Sequence, residues 1–313
     1  MRRLLVIVPC HNEAISITAT IDSIKRVVPD ATIWVIDNLS TDDTSEFARK
    51  AGAIVYKEPQ IGKGFAVRNA FAKVDEKFDA IFMVDGDDTY GMENLISAIE
   101  LIVNQGFDLI VGTRLDSQAE NQKQGNAYRA GHKVGNFFIS SLFRVLFKVP
   151  IRDSLSGWRV MSPGFVKSFL GGASGFEIET ELNVHAYAIR ASVSSVSVTY
   201  KGRKEGSHSK LKTYNDGIKI LSRQVSLLRI ERPSLFFTTV SLPWFVASLI
   251  LIANVLQNYF SIRAIPNFPS LIAGVGCFIL GTLLVIAGLI LDNVKQSKVV
   301  LARFAYSQMR SFK

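Results

Sequence analysis

The stretch FDAIFMVDGDDTYG at residues 78–91 places three carboxylates directly after a continuous apolar run. An unbroken run such as AIFMV is typical of a strand in a parallel sheet that is covered on both faces. The acids Asp85, Asp87 and Asp88 would then begin the loop that follows this strand. Taken alone, the DGD sequence is equally consistent with a solvated turn and with a ligand site.

The segments before this stretch alternate between strand-like and helix-like patterns. Apolar runs and segments of helical spacing follow one another in the order LLVIVP, SITATIDSIKRVV, ATIWVID, TDDTSEFARKAG, AIVYKE, GKGFAVRNAFAKV and AIFMVD. This alternation predicts an α/β fold with right-handed connections, whose ligands collect at the carboxyl ends of the strands.

Three aspartates each follow one of the predicted strands, namely Asp37, Asp85 and Asp87. The predicted sheet would gather them along one edge, where they would repel one another without a positive partner. Carboxylate oxygens are the ligands that Mg²⁺ and Mn²⁺ prefer, usually together with substrate phosphates. The pattern therefore predicts a divalent cation at this edge, with coordination positions left for a diphosphate.

The composition points to lipid contact and to anionic ligands. The chain has 313 residues, 48% of them hydrophobic, and a net charge of +9. Its mean hydropathy of +0.22 is high for a purely soluble protein. The positive charge suits nucleic acid, an anionic membrane surface or phosphorylated substrates. Nucleic-acid binding is disfavoured, because the basic residues cluster near hydrophobic segments and form no recognition motif.

Two long uncharged stretches near the C-terminus predict a membrane hairpin. Residues 235–262 and 267–291 each exceed the roughly 20 apolar residues that cross a bilayer. Arginines precede the first stretch, and lysines and arginines follow the second, so the positive-inside rule places both ends in the cytoplasm. The alternative is a pair of buried core helices. The start MRRLLVIVP predicts a first strand, because its apolar run is too short for a signal peptide.

Two segments have the composition of helices that lie in the membrane interface. Phenylalanines and leucines alternate with lysines and arginines in HKVGNFFISSLFRVLFKVPI at residues 132–151 and in DGIKILSRQVSLLRIERP at residues 216–233. The alternative is a core-facing helix with one polar side.

The motifs VIVPCHNE, VIDNLSTDDT, GKGFAVRNA, VDGD and GTR, in this order and spacing, resemble the family 2 glycosyltransferases. The resemblance covers about two thirds of the chain and implies the GT-A fold, a Rossmann-like mixed sheet with helices on both faces. In this sequence His11 stands where relatives often have Tyr, and Asn38 replaces a frequent second Asp. Thr89 stands where some relatives place a Gln metal ligand. The GKG motif is either a donor contact or only a turn and helix cap. The resemblance implies that the metal ligands are Asp85, Asp87 and Thr89, and that the donor-binding residues are Pro9, His11, Glu13, Asp37, Lys63, Asp85 and Glu177.

The segments DSLSGWRVMSPGF, GFEIETELNVHA and VTYKGRKEGSHSKLKTYNDG resemble the polyprenyl-phosphate branch of this family. Glu177, Glu179 and Glu181 would share a face on a strand, yet the same residues could begin a helix. Asp153 has an alternative role as a helix cap or as an ion-pair partner of Arg152 or Arg159. The resemblance implies that Asp87, Asp153 and Arg203 are catalytic. It also implies that Arg114, Arg129, Lys133, Ser209 and Lys210 bind the acceptor phosphate.

Together these patterns predict four parts of the chain. Residues 1–212 would form a cytoplasmic GT-A domain and residues 213–233 an amphipathic juxtamembrane helix. Residues 234–292 would form the two-helix transmembrane hairpin, followed by a basic cytoplasmic tail at residues 293–313. The sequence leaves the oligomeric state open, although members of the family that it resembles often associate through their membrane segments.

The resemblance implies an inverting, metal-dependent transfer of a sugar from a nucleotide sugar, preferably a UDP-sugar, to a polyprenyl phosphate. The product would be a lipid-linked sugar donor for cell-envelope glycan or glycoprotein assembly. A lipid monophosphate has a second pKa near 6, so much of it is already a dianion and needs no strong base. The alternative acceptor is a hydroxyl of diacylglycerol or of a glycan, which would require a general base such as Asp153. A module that only binds ligands is disfavoured, because it has little use for the gathered aspartates.

Overall fold

The computed structural model describes residues 3–75, 77–114, 153, 156–202, 228–230, 232–264 and 267–310. The predicted interfacial helix at residues 132–151 and most of the one at residues 216–233 lie outside the described residues. The same holds for five predicted site residues, which are Arg129, Lys133, Arg203, Ser209 and Lys210.

Strands and helices alternate along the first part of the chain, as the sequence predicts. The strands are β1 (Leu4–Cys10), β2 (Thr32–Asp37), β3 (Ile54–Lys57), β4 (Ala80–Met83), β5 (Leu109–Thr113), β6 (Arg159–Met161) and β7 (Val193–Ser197). The helices between them are α1 (Ile17–Val27), α2 (Thr44–Lys50), α3 (Lys63–Lys73), α4 (Leu95–Gln105), α5 (Pro163–Lys167) and α6 (Ile178–Ala188). Two long helices follow, α7 (Pro233–Ile262) and α8 (Phe268–Arg310).

The strands form one seven-stranded mixed sheet in the order β3-β2-β1-β4-β6-β5-β7. All neighbouring strands run parallel except β6, which lies antiparallel to both β4 and β5. Every residue of β1 is buried, which fits a central strand covered on both faces. The sheet confirms the predicted α/β fold of the GT-A type.

The core forms because the apolar residues of each helix recur with helical spacing. In α1 the side chains of Ile17, Ile21 and Ile24 are fully buried against the sheet. Trp158 packs edge to face on Phe82 of the neighbouring strand, with ring centroids 5.0 Å apart. This packing fixes the strand ends and therefore the loops that extend from them.

The chain divides into two compact units, one of residues 1–211 with 301–313 and one of residues 212–300. In the second unit α7 and the first part of α8 are long and apolar enough to cross a membrane, and most of their side chains are exposed. Glycines at positions 274, 281 and 288 of α8 recur every seven residues. Their missing side chains leave room for Ile252, Phe245 and Phe237 of α7. The two helices therefore pack closely along a stripe of small residues.

Helix α8 continues past the predicted span to Arg310. Its last turns, from residue 301 onward, belong to the first unit. There the hydroxyl of Tyr306 donates to Asp108 Oδ1 at 2.8 Å, and Arg303 Nε donates to the carbonyl of Ala188 at 2.7 Å. The segment predicted to be a tail thus begins as a helix that packs on the sheet domain.

Candidate functional site

The sheet brings the predicted aspartates to one edge. Asp37, the last residue of β2, lies opposite Cys10, the last residue of β1. Strand β4 ends at Met83 opposite Ile7, so Asp85 and Asp87 extend beyond β4 in the same direction. Because these strands run parallel, their carboxyl ends meet at the edge where α/β sheets bind ligands.

Unusual backbone conformations concentrate at the same edge. Asn12, Leu39 and Asp88, which follow β1, β2 and β4, have φ values of 53°, 58° and 58°. Asn and Asp tolerate this left-handed region, whereas Leu adopts it at a cost. Strain of this kind is characteristic of functional loops. The sequence gives no sign of it at Leu39.

Hydrogen bonds fix the orientation of two of the aspartates. Asp37 Oδ1 accepts from the amide of Ser40 at 2.9 Å, and its Oδ2 accepts from the hydroxyl of Ser45. Asp87 Oδ1 accepts from the hydroxyl of Thr89 at 2.6 Å and from its amide at 3.3 Å. Thr89, a predicted metal ligand, therefore contacts the carboxylate of Asp87 directly.

The other predicted donor residues lie on β1 and the turn after it. Pro9 lies within β1, opposite Ile36. The ring nitrogen Nδ1 of His11 lies 2.7 Å from the carbonyl oxygen of Asn38. Glu13 accepts from the hydroxyl of Ser16 at 3.1 Å. These residues lie at the carboxyl end of β1, next to the end of β2 that carries Asp37.

Lys63 lies at the centre of the site between two carboxylates. Its Nζ is 2.5 Å from Asp85 Oδ1 and 2.5 Å from Glu179 Oε1, and the ring of Phe176 lies 5.7 Å away. Burial alone would lower the pKa of the Lys63 ammonium, but the two carboxylates reverse this and raise it above its ordinary value. Lys63 is therefore a permanent positive charge at the strand edge.

The two glycines of the GKG motif place this lysine. A Cβ at Gly62 would overlap the carbonyl oxygen of Ser174, and one at Gly64 would overlap that of Ala173. The amide of Gly64 also donates to the Ser174 carbonyl at 3.1 Å. The two glycines thus allow the loop before α6 to pack directly against the backbone on either side of Lys63.

The three alternating glutamates lie at the start of helix α6, so the helical alternative is the one observed. On a helix Glu177 and Glu181 share a face, and Glu179 lies on the opposite side. Glu177 accepts from the amide of Gly175 at 3.0 Å, and Glu181 accepts from that of Ala173 at 2.8 Å. Both therefore hold the loop before the helix, and Glu179 alone of the three contacts Lys63.

Sequence reasoning selected Glu177 from this group and missed Glu179. Burial raises the pKa of Glu179, and the nearby Asp85 raises it further, while Lys63 opposes both. Glu179 could have been identified if the segment had been predicted as a helix, because Glu177 and Glu181 then share one face and Glu179 lies on the other. The sequence left the strand alternative open, so this distinction was not available.

A second charged pair lies at the end of β5. Arg114 grips Asp153 with two parallel bonds, Nε to Oδ2 at 2.7 Å and Nη2 to Oδ1 at 2.9 Å. The guanidinium also lies 5.2 Å from the ring of Tyr200 and 6.0 Å from that of Tyr90. Burial would lower the pKa of Arg114, but the bonds to Asp153 raise it above its usual value. The structure thus pairs Asp153 with Arg114, a partner that the sequence did not suggest.

Arg159 is a further buried charge that sequence reasoning did not assign to the site. It donates from Nε to the carbonyl of Ser156 at 3.0 Å and from Nη1 to Asn183 Oδ1 at 2.6 Å. Burial lowers the pKa of Arg159, and the charges of Glu179 and Asp153 act against that effect. Arg159 therefore lies near both the cluster of Lys63 with Asp85 and Glu179 and the ion pair of Arg114 with Asp153.

The carboxylates at this edge of the sheet fit a hard divalent cation that takes most of its ligands from water and from substrate phosphates. Within the described ranges, no cluster of three or more His, Cys, Asp or Glu side chains is arranged around a common metal position. Asp85 and Asp87, separated by one residue, supply carboxylate oxygens only. Mg²⁺ typically binds through one or two carboxylates and completes its shell with water and phosphate oxygens.

Comparison with known proteins yields a family match and several relatives. Residues 5–161 match the family model described as Glycosyl transferase family 2. Protein RfbJ of Shigella flexneri is 42% identical over 42% of this chain and 95% of its own length. Glycosyltransferase AglJ of Haloferax volcanii is 31% identical over 75% of each chain. Dolichyl-phosphate hexose transferase of the same organism is 32% identical over 50% of this chain and 64% of that protein.

Among solved structures, glucosyl-3-phosphoglycerate synthase of Mycobacterium tuberculosis with phosphoglyceric acid superposes with a TM-score of 0.57. The identity is 22%, over 72% of this chain and 79% of that one. The same synthase in complex with Mn²⁺, UDP-glucose and phosphoglyceric acid superposes with a TM-score of 0.54 at 22% identity. The likeness is one of fold, a mixed GT-A sheet with helices on both faces.

Proposed function

This chain belongs to glycosyl transferase family 2, and we propose that it transfers a sugar from a UDP-sugar to a polyprenyl phosphate with inversion. The observation that carries the proposal is the division of charge in the sheet domain. Asp37, Asp85 and Asp87 follow the strands on one side, and Arg114 follows β5 with its guanidinium already oriented. Such a site suits two anionic substrates, one held through a cation and one held by arginine.

On the donor side, the residues of the β1 and β2 edge would bind the nucleotide. Asp37, held by Ser40 and Ser45, presents a fixed carboxylate to the ribose or base, beside Pro9 and His11. Mg²⁺ or Mn²⁺ held by Asp85 and Asp87, with Thr89 beside them, would neutralise charge on the leaving diphosphate. The synthase of the same fold is described in complex with Mn²⁺ and UDP-glucose, which supports this donor class.

On the acceptor side, the name of one relative supports a lipid phosphate. Dolichyl-phosphate hexose transferase shares 32% identity with half of this chain. Arg114 would bind the acceptor phosphate together with residues outside the described part of the chain, which are Arg129, Lys133, Arg203, Ser209 and Lys210. Guanidinium groups bind phosphate bidentately, so these residues would both orient the acceptor and reduce its charge repulsion with the donor.

The chemistry of this pairing needs no proton acceptor. An oxygen of the acceptor phosphate forms a bond to the anomeric carbon, the bond from that carbon to the donor diphosphate breaks, and the nucleoside diphosphate leaves. Asp153 directs both of its oxygens at Arg114, which suits a residue that positions the guanidinium. That arrangement supports a phosphate acceptor over a hydroxyl acceptor, because a hydroxyl would have to lose its proton to a general base.

The two apolar helices would anchor the enzyme where its lipid acceptor resides. In this proposal α7 and the first part of α8 cross the membrane, and residues 1–212 face the cytoplasm, where nucleotide sugars are made. The basic residues that flank both helices support that orientation. Association of copies through these helices belongs to the same proposal.

The test is an incubation of membranes containing the full chain with labelled UDP- and GDP-sugars and either undecaprenyl or dolichyl phosphate. We expect metal-dependent label in the lipid extract from a UDP-sugar, which a chelator and the Asp87→Ala variant both abolish. The labelled lipid should release its sugar in mild acid, as a glycosyl phosphate does. Label in an acid-stable diacylglycerol or glycan product would overturn the proposed acceptor, and label that persists in excess chelator would overturn the metal requirement.

A further inference from the structure

We propose that Lys63 is an internal counter-ion, which neutralises Asp85 while the cation site is empty and is retained by Glu179 when a divalent cation binds Asp85. Glu179 would then be a positioning residue for cation binding. This inference rests on the proposed function in one respect, the assignment of Asp85 as a metal ligand.

The ammonium group already contacts both carboxylates at the same distance. Lys63 Nζ lies 2.5 Å from Asp85 and 2.5 Å from Glu179. The exposed fractions of the side chains differ, with 28% for Asp85 against 6% for Glu179 and 9% for Lys63. A cation arriving from solvent therefore reaches Asp85 first, whereas Glu179 lies behind the lysine.

Lys63 has little freedom to leave this position. The flanking glycines lock its backbone against the 173–174 loop, and the ring of Phe176 lies beside its ammonium group. A buried charge that loses its only partner costs several kcal/mol, since solvent does not replace the lost contact. When a cation takes over Asp85, Glu179 is the remaining carboxylate that Lys63 contacts.

The contact between Lys63 and Asp85 changes both the charge of the metal site and its affinity for a cation. Without a cation, the lysine reduces the negative charge that would otherwise repel an incoming diphosphate. A divalent cation must displace it, so Lys63 acts as a competitor for Asp85 and Glu179 weakens that competition. Removing Glu179 leaves the ammonium bound to Asp85 alone, which strengthens the competition.

The test measures Mn²⁺ binding to the full chain in detergent micelles without any nucleotide, from the electron paramagnetic resonance signal of free Mn²⁺. We expect Lys63→Met to bind Mn²⁺ about tenfold more tightly, and Glu179→Gln to bind it about tenfold more weakly, as a change of about 1.4 kcal/mol would give. The double variant should bind like Lys63→Met, because Glu179 acts only through the lysine. Lys73→Met, a change on the same helix away from the site, should bind like the wild type.

The double variant also guards against misfolding, since it removes both buried charges together and leaves neither unpaired. Equal Mn²⁺ affinity in the wild type, Lys63→Met and Glu179→Gln, with binding lost in Asp87→Ala, would overturn this inference and leave the proposed metal site intact. Additive effects in the double variant would also overturn it. A wild-type protein that binds no Mn²⁺ either alone or with added UDP, and is nevertheless an active transferase, would overturn the metal assignment itself, and the inference with it.

Discussion

At the scale of single residues, glycines decide the shape of the site more directly than the charged residues do. Gly62 and Gly64 let the carbonyl oxygens of Ser174 and Ala173 approach the start of α3. Gly157 likewise lies against the carboxylate of Asp85, with no space for a Cβ. The placement of the charged side chains therefore depends on glycine at these three positions, where a Cβ would not fit.

The first prediction concerns Gly64→Ala. Alanine is a better helix former than glycine by about 1 kcal/mol, so the change at a helix start would stabilise the protein in open space. Here the added Cβ would overlap the Ala173 carbonyl oxygen, so the change should destabilise the protein. We expect a loss of about 2 kcal/mol in the free energy of unfolding. The measurement is thermal unfolding of the full chain in detergent. Gly172→Ala, where no atom lies within 4 Å of the added Cβ, is the matched control. Unfolding of Gly64→Ala at or above the wild-type temperature would contradict the prediction.

Sequence reasoning at this scale succeeded for residues that follow strands and failed for partners that the fold brings from afar. The position of Asp37, Asp85 and Asp87 follows from strand direction alone, which local patterns reveal. The pairing of Asp153 with Arg114 depends on two loops that are 39 positions apart in sequence. No local pattern encodes that contact, and the nearby arginines at positions 152 and 159 appeared to be the natural partners.

At the scale of elements, periodicity identified the first four strands, β1 to β4, and the helices between them. It did not identify β6, a three-residue strand that inserts antiparallel between β4 and β5. So short a strand has no period to detect, and its pairing is fixed by tertiary packing, with Trp158 on Phe82. The same limit left the start of α6 open between a strand and a helix.

A second prediction concerns the packing of α6 against α5 through His185. The ring lies between Phe165 and Phe169, and its Nε2 is 3.0 Å from the hydroxyl of Ser168. Burial lowers the pKa of His185 to about 4. The unfolded chain, with an ordinary histidine pKa near 6.5, therefore binds this proton first as the pH falls. The stability that the neutral ring contributes is complete above about pH 6.5 and is lost toward pH 4.

The measurement is the free energy of unfolding as a function of pH for the wild type and His185→Gln. Between about pH 6.5 and 4 the wild type should lose about 1.4 kcal/mol per pH unit from this group. Glutamine retains a hydrogen-bonding group beside Ser168 but does not titrate in this range. The variant should therefore show a flatter slope there, and parallel curves for the two proteins would refute the assignment.

A third prediction concerns the end of α8. The carboxylate of Asp108 accepts from the hydroxyl of Tyr306, from the hydroxyl of Ser162 at 3.2 Å and from the amide of Ser192 at 2.9 Å. Tyr306→Phe removes one donor from this buried carboxylate, at a cost of about 1–2 kcal/mol. We expect the backbone amides of residues 301–310 to exchange hydrogen about 5- to 30-fold faster. Tyr187→Phe changes an exposed tyrosine and should leave this exchange unaltered.

At the scale of the whole molecule, the chain joins a mixed-sheet domain to a pair of long apolar helices that are candidate membrane spans. The second unit exposes large apolar side chains along both helices, whereas the described residues of the sheet domain bury most of theirs. Exposed apolar surface of that extent indicates a membrane or a partner as its environment. The uncharged stretches in the sequence were sufficient to predict the two long apolar helices, because length and the lack of charge are properties that need no tertiary contact.

The last prediction concerns the orientation of the hairpin, tested with single cysteines in a background in which Cys10 and Cys277 are replaced by alanine. Ala264, between the two helices, and Asp30, on the sheet domain, are both exposed positions. If α7 and α8 span the membrane with their basic flanks in the cytoplasm, a membrane-impermeant maleimide should label Ala264→Cys in intact cells. It should label Asp30→Cys only after the membrane is permeabilised. Protection of both positions in intact cells would favour two helices that never cross the bilayer, and the reverse pattern would place the sheet domain outside, away from the nucleotide sugars that it is proposed to use.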